Sequence, residues 1–222
     1  MEKLANKISI KIASELSYDK DKQEVIEYGL IALFQTAVTV LAVLLLGLTL
    51  GIFVEAAVVC FGVSILRKFS GGSHASSIAS CTIISTILCI GFAFLGKWLA
   101  GNIQSDAILL TVLVLTFAFA IVIVIMKVPV DSPNKPIRSL TKRRKLKIRT
   151  LIVIIFYLLV SAGLFFVRGN LDLAISALLC LLISVIWQMG TLTGPGRFLI
   201  EGSDRLIYRI ITMKGGHNNN EN

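Results

Sequence analysis

Two side chains in this sequence have the types and spacing for thiol chemistry. They are His74 and Cys81, in the stretch Arg67-Lys-Phe-Ser-Gly-Gly-Ser-His-Ala-Ser-Ser-Ile-Ala-Ser-Cys81. A thiol becomes a strong nucleophile once a neighbour takes its proton, and imidazole is the usual partner near neutral pH. The chain holds 2 histidines, and the other, His217, lies in a polar tail. On one continuous helix His74 and Cys81 would share nearly the same face but stand about 10 Å apart along the axis. That is beyond hydrogen-bond reach. The pair works only if the chain near His74 folds back, and Gly71-Gly72 supplies the freedom for such a turn. The expected geometry is a looped or re-entrant His74 segment packed on the start of the Cys81 helix. Such backbone is tolerated at membrane depth where protein or a wet cavity covers it. The plainer alternative is an ordinary loop histidine and an ordinary helix cysteine. Cys60, Cys89 and Cys180 fall well inside apolar runs, where free cysteine acts as a small hydrophobe. No CxxC or metal-type spacing occurs, so neither a metal, a cofactor nor a disulfide framework is expected.

The elements that must position this pair are membrane helices. Mean hydropathy is +0.84 and 55% of residues are hydrophobic, which points to an all-α, polytopic membrane protein. Residues 28–66 are uncharged except for Glu55, too long a run for one crossing of about 20 residues. Gly47 and Gly51 offer a tight turn that divides it into two. Further uncharged runs cover 75–96, 107–126, 150–167 and 173–196, giving six expected transmembrane helices. The first run lacks a small-residue cleavage site and reads as a retained span, not a removed signal peptide. With both termini in the cytoplasm, 20 of the 22 Lys and Arg residues lie inside, leaving Lys97 and Arg168 outside. Topology thus accounts for most of the net charge of +9, and no nucleic-acid partner is needed. The expected place is the cell membrane, multi-pass.

Residues 1–22 read as an interfacial amphipathic helix. Leu4, Ile8, Ile12 and Leu16 form one stripe, and Lys3, Lys7 and Lys11 another. A cytosolic helix packed on the loops is the alternative. Residues 127–149 form a basic cytoplasmic loop. Its first half, from Pro129 to Pro136, has three prolines and suits neither regular helix nor sheet. Its second half, from Thr141 to Arg149, is expected to begin the fifth span. Residues 1–214 are read as a single transmembrane domain and 215–222 as a disordered tail. Glu55 is an intramembrane carboxylate and so a functional candidate. Pairing with Lys97 or Arg168, or snorkelling, would explain it as well. The basic run is explained by topology and by anionic lipid. The turn Thr193-Gly-Pro-Gly196 most simply ends the last span.

Arg67, three residues, Gly71-Gly72-Ser73-His74-Ala75, five residues and Cys81 together resemble the signature of the accessory gene regulator protein B (AgrB) family. Pro129, Asn134-Lys135-Pro136, the length, the six spans and the basic loop are also similar, so the resemblance covers nearly the whole chain. It implies a membrane cysteine endopeptidase of peptide quorum sensing. Such enzymes cut an acidic C-terminal tail from a short propeptide on the cytoplasmic side and keep the remainder as a thioester. A Cys or Ser of the propeptide then closes a thiolactone or lactone. Carried onto this sequence, Cys81 is the nucleophile and His74 the general base, with Arg67, Gly71 and Gly72 shaping the site. Lys135, Arg143, Arg144 and Lys145 are candidates for binding the acidic tail, and Asp131 or Asn134 for orienting His74. The implied partners are the propeptide, the lipid bilayer and a second copy in a homodimer. The rival class is a small non-enzymatic transporter or exporter whose pathway contains Glu55.

Overall fold

The computed structural model describes residues 2–72, 78–103, 105–130, 139–169, 173–196, 198–199, 202–203 and 205. Among these the named elements are all helices: α1 (Glu2–Glu15), α2 (Lys20–Thr49), α3 (Phe53–Ser70), α4 (Ile78–Asn102), α5 (Asp106–Lys127), α6 (Leu140–Val167) and α7 (Leu173–Thr191). One isolated parallel bridge joins Gly71 and Val130. The tail 215–222 and His217 lie outside the described residues.

The chain divides into two compact units, 1–42 and 43–222. In the first, Asp19 Oδ1 accepts from the Lys22 N–H at 2.9 Å, the N-cap bond that starts α2. Asn6 Nδ2 donates to Glu27 Oε2 at 2.9 Å and ties α1 to α2. Along α1 the small residues Ala5, Ser9 and Ala13 are buried, while Leu4 and Leu16 are exposed and Ile8 and Ile12 half-buried.

In the second unit, α2 ends at Thr49 and the chain reverses through Gly51 at φ +66°. Gly47 lies so close to Ala56 that a side chain there would collide with it. Every apolar run of the sequence is occupied by a helix: the divided first run by α2 and α3, the others by α4 to α7 in turn. Five of these, α2, α4, α5, α6 and α7, are long and apolar enough to cross a membrane. The remaining one, α3, carries Glu55, Arg67 and Lys68 within its 18 residues. α6 starts at Leu140 behind Ser139, whose side chain accepts from the Lys142 N–H. The basic run Thr141–Arg149 is therefore its first turns.

The core of this unit is built around α7, which packs against α3, α4, α5 and α6. Its buried face is rich in Ala, Ser and Cys, and small residues let helix backbones approach where no hydrophobic force separates helix from lipid. Gly96 of α4 admits Cys180, and Gly62 of α3 sits against Ser184. Tyr157 Oη donates to the Gly62 carbonyl at 3.0 Å and adds α6 to that junction. Leu66, Phe117, Ile154, Leu178, Leu182 and Val185 fill the space between. At the opposite end of the helices from Gly71, Arg168 pairs with Asp106 at 2.5 Å. Lys97 Nζ donates to the Gly51 carbonyl at 2.8 Å. Those are the two cations the sequence offers Glu55, and their described bonds go elsewhere. Glu55 is buried in the first turn of α3, 2% exposed.

Candidate active site

Cys81 lies in the first described turn of α4 and is half-buried. On the same face of that helix come Ile84, Ser85, Leu88, Cys89 and Phe92, at i+3, i+4, i+7, i+8 and i+11, positions that lie one above another along an α-helix. This stripe is one wall of a cavity of about 50 Å³. Val63 and Arg67 of α3 form the facing wall, and Trp187 of α7 closes it. Phe92 and Trp187 meet as a tilted ring pair, with centroids 5.1 Å apart and planes at 59°. The thiol of Cys81 and the guanidinium-bearing side chain of Arg67 therefore share one small, mainly apolar space, although fourteen positions separate them in the sequence.

The Gly-Gly turn is fixed from two sides. Gly71 ends α3 at φ +80°, ψ −156°, with its N–H bonded to the Arg67 carbonyl at 3.1 Å. Gly72 follows at φ +132°. Both angles lie where side-chain-bearing residues rarely go. At Gly71 even the space is absent, because an added Cβ would run into the Val130 carbonyl oxygen. Val130 pairs with this turn, its N–H donating to the Ser70 carbonyl at 3.0 Å. From the other side, Gln188 Nε2 donates to Ser70 Oγ at 2.9 Å and to the Gly71 carbonyl at 3.1 Å.

Gln188 was not among the candidates read from the sequence, yet it is 1% exposed and satisfied only by this turn among its described bonds. A buried amide is costly unless paired, so a glutamine inside an apolar helix signals a fixed polar partner. The signal was present: Gln188 is the only amide side chain in the uncharged run 173–196. The partner could not be read, since it is a backbone carbonyl over a hundred residues away.

The segment after α5 reaches the same turn. Pro129 and Val130 run beside Ser70 and Gly71, and Arg143 Nη2 donates to the Pro129 carbonyl at 3.4 Å. Arg143 is half-buried, whereas Arg144 and Lys145 are exposed. Lys147 Nζ meets the Ile125 carbonyl near the end of α5 at 2.7 Å. The structure thus brings Arg67, Gly71 and Cys81 to the same ends of α3 and α4, and among the described residues gives Arg143 a tethering bond that Arg144 and Lys145 do not show. His74, Asp131, Asn134 and Lys135 lie outside the described residues. Among the described residues no group of His, Cys, Asp or Glu side chains is placed to hold a metal.

Long apolar helices that close on one another at Gly62, Gly96, Cys180 and Ser184 fit a multi-pass membrane protein, with Cys81 and Arg67 lining one cavity. The family model of accessory gene regulator B matches residues 5–192, and this chain belongs to that family. An AgrB-like protein of Clostridium perfringens strain SM101 is 34% identical over 213 residues, covering 95% of this chain and 100% of the relative. AgrB-like protein 2 of Clostridium perfringens strain 13 is 33% identical over 215 residues, with the same coverage. No solved structure matches the chain. Membership supports a role in the peptide processing of accessory gene regulator quorum sensing.

Proposed function

We propose that this chain is a membrane cysteine endopeptidase that trims and cyclises a short signal propeptide. The observation that carries the reading is the shared cavity of Cys81 and Arg67 beside a turn held by Gln188 and Val130, in a chain of this family. His74 follows that turn by two residues and takes the Cys81 proton. The thiolate attacks the carbonyl before the acidic tail, the C–N bond breaks, and the tail leaves as an amine carrying the proton. The rest of the peptide stays on Cys81 as a thioester. An internal Cys or Ser of the peptide then attacks that carbonyl, closing the ring and returning the thiol. A thioester lasts long enough to cyclise only where water is scarce, which suits a cavity walled by Ile84, Leu88 and Phe92.

In the same reading, α3 crosses the membrane with the five longer helices, making six spans, and α1 lies along the membrane surface. Both termini and the 127–149 segment face the cytoplasm of the cell membrane, the propeptide's acidic tail meets the basic start of α6, and the protein works as a homodimer. Residues 1–214 form one peptidase domain. A cysteine introduced at the exposed Lys142 is then shielded from an impermeant maleimide added outside intact cells. Labelling there from outside overturns the orientation.

The test of the chemistry uses the purified protein in liposomes with a synthetic propeptide taken from the neighbouring reading frame. Replacing the peptide's internal nucleophile by Ala should trap its N-terminal part on Cys81 as a hydroxylamine-labile adduct, read by protein mass. The rival exporter rests on the burial of Glu55. An exporter tolerates Cys81→Ala, so tail release by that variant would put the exporter first.

A further inference from the structure

We propose that Cys60 of α3 and Cys89 of α4 form an oxidisable dithiol, and that a hydroperoxide joins them in a disulfide that clamps the two walls of the Cys81 cavity together. The effect of the clamp on processing rests on the thiol-peptidase reading, whereas the disulfide itself does not.

Register and contact both bring these two thiols together. Arg67 near the end of α3 and Cys81 near the start of α4 line one cavity. Cys60 precedes Arg67 by seven residues, on the same face of α3 as Val63, a displacement of about 10 Å at 1.5 Å per residue. Cys89 follows Cys81 by eight residues, on the same face of α4 as Ser85, a displacement of about 12 Å. Two helices that pass in opposite directions from a shared starting level therefore place residues 60 and 89 opposite one another. The side chains agree: Cys60 meets Cys89 and Ser64. Both thiols are free and buried. The other two cysteines stand elsewhere. Cys81 is eight residues from Cys89 along one helix, and Cys180 packs at Gly96 with its sulfur against the Ala93 carbonyl.

The pair is open to a small oxidant from the cavity side. Cys89 lines the cavity together with the polar side chains of Arg67 and Ser85. A volume of about 50 Å³ holds about four water-sized spheres, which is room for hydrogen peroxide. The Cys89 sulfur attacks one peroxide oxygen, the O–O bond breaks, and the other oxygen leaves as water with the thiol proton. Cys89 is then a sulfenic acid. The Cys60 sulfur attacks the Cys89 sulfur, the S–O bond breaks, and the hydroxyl leaves as water with the Cys60 proton, which the adjoining Ser64 hydroxyl can relay. The two thiols give up two electrons and the peroxide takes them. The product is uncharged, as a group between apolar helices should be.

The consequence follows from where the bond falls. It closes a covalent ring from residue 60 to residue 89 that contains Arg67, Gly71, Gly72 and Cys81. Space for about four waters is too little for a peptide backbone, so a propeptide that brings its carbonyl to Cys81 must part α3 from α4. A disulfide holds its sulfurs closer than unbonded atoms can come. The oxidised walls stay shut, and the reduced walls can open.

The experiment uses full-length Cys81→Ala protein in liposomes, so that oxidation of the nucleophile plays no part. Hydrogen peroxide is added, removed with catalase, and the remaining thiols are alkylated before digestion and mass spectrometry. The α3 and α4 peptides should be joined through Cys60 and Cys89 with the loss of two hydrogens, and a phosphine reductant should separate them. Peptide entry is read with a synthetic propeptide that carries a benzophenone side chain beside the cleavage site. Oxidation should lower its photo-cross-linking to α3 and α4 at least about tenfold, and reduction should restore it. With Cys60→Ala added, cross-linking should be the same before and after peroxide; Cys60→Ser serves if the alanine variant does not fold. Absence of the joined peptide after peroxide would overturn the dithiol. A joined peptide with unchanged cross-linking would overturn the clamp, as would a loss of cross-linking that persists in the Cys60 variants. No propeptide cross-linking even in the reduced protein would overturn the peptide-processing reading and the clamp with it, while the disulfide is judged by mass alone.

Discussion

Alanine at Gly71 should damage the site more than alanine at Gly72, and the structure gives the reason and the size. Both glycines have positive φ, +80° and +132°. Holding a side-chain-bearing residue in such a region costs about 1–3 kcal/mol. At Gly72 that is the whole effect, because an added Cβ meets Leu192 Cδ2 at 3.6 Å and Gln188 Nε2 at 3.8 Å, ordinary contacts. At Gly71 the Cβ also runs into the Val130 carbonyl. Val130 must then move, and its bond to the Ser70 carbonyl is lost for about 0.5–1.5 kcal/mol more. The closed turn is weakened by about 1–3 kcal/mol in Gly72→Ala and about 1.5–4.5 in Gly71→Ala. With about 1.4 kcal/mol per tenfold, these are shifts toward the open turn of roughly 5- to 140-fold and roughly 12- to 1,600-fold. The assay is release of the acidic tail from synthetic propeptide in proteoliposomes, measured by mass spectrometry and normalised to inserted protein. Processing should fall in both variants and further in Gly71→Ala. Wild-type rates in Gly71→Ala, or a larger loss at Gly72, would show that the closed turn is not what the chemistry requires.

Gln188→Leu should lower processing at least about tenfold and cost about 1–3 kcal/mol, because Ser70 and the Gly71 carbonyl lose a buried donor. An unchanged rate and an unchanged melting temperature in detergent would refute that role. Cys81→Ala should abolish tail release, whereas Cys60→Ala and Cys180→Ala, buried and away from the cavity lining, should retain most of it; the reverse pattern in the same mass assay refutes the assignment of the thiol. Neutralising the exposed Arg144 and Lys145 to Gln should weaken peptide binding mainly at low salt, where charge attraction is least screened. Arg143→Gln should lose activity at every salt concentration, since its guanidinium also holds the Pro129 carbonyl. A common salt response in all three positions would dismiss that division of roles.

The sequence by itself determined the helices and pointed to where the chemistry should be sought. Long uncharged runs broken by Gly47–Gly51, Lys97, Lys127–Arg149 and Arg168 are local patterns, and a membrane forces such runs to satisfy their own backbone as helices. The Gly-Gly turn was equally legible, because glycine at a helix end announces a conformation other residues avoid. That the basic run Thr141–Arg149 begins a helix could also be read, since it follows the prolines and leads into an uncharged run. Spatial partnerships could not be read this way. Nothing local tells that Gln188 bonds Gly71, that Val130 pairs beside Ser70, or that Arg143 holds the Pro129 carbonyl and so differs from Arg144 and Lys145. Nor does it tell that Lys97 and Arg168 are bonded to Gly51 and Asp106 in place of Glu55. These depend on which faces of α3, α4 and α7 meet. Small residues at Gly62, Gly96, Cys180 and Ser184 set that meeting by letting the backbones close in. The cavity of Cys81 and Arg67 has the same origin: its floor is the Phe92–Trp187 ring pair, joined only by tertiary packing of helices far apart in the chain.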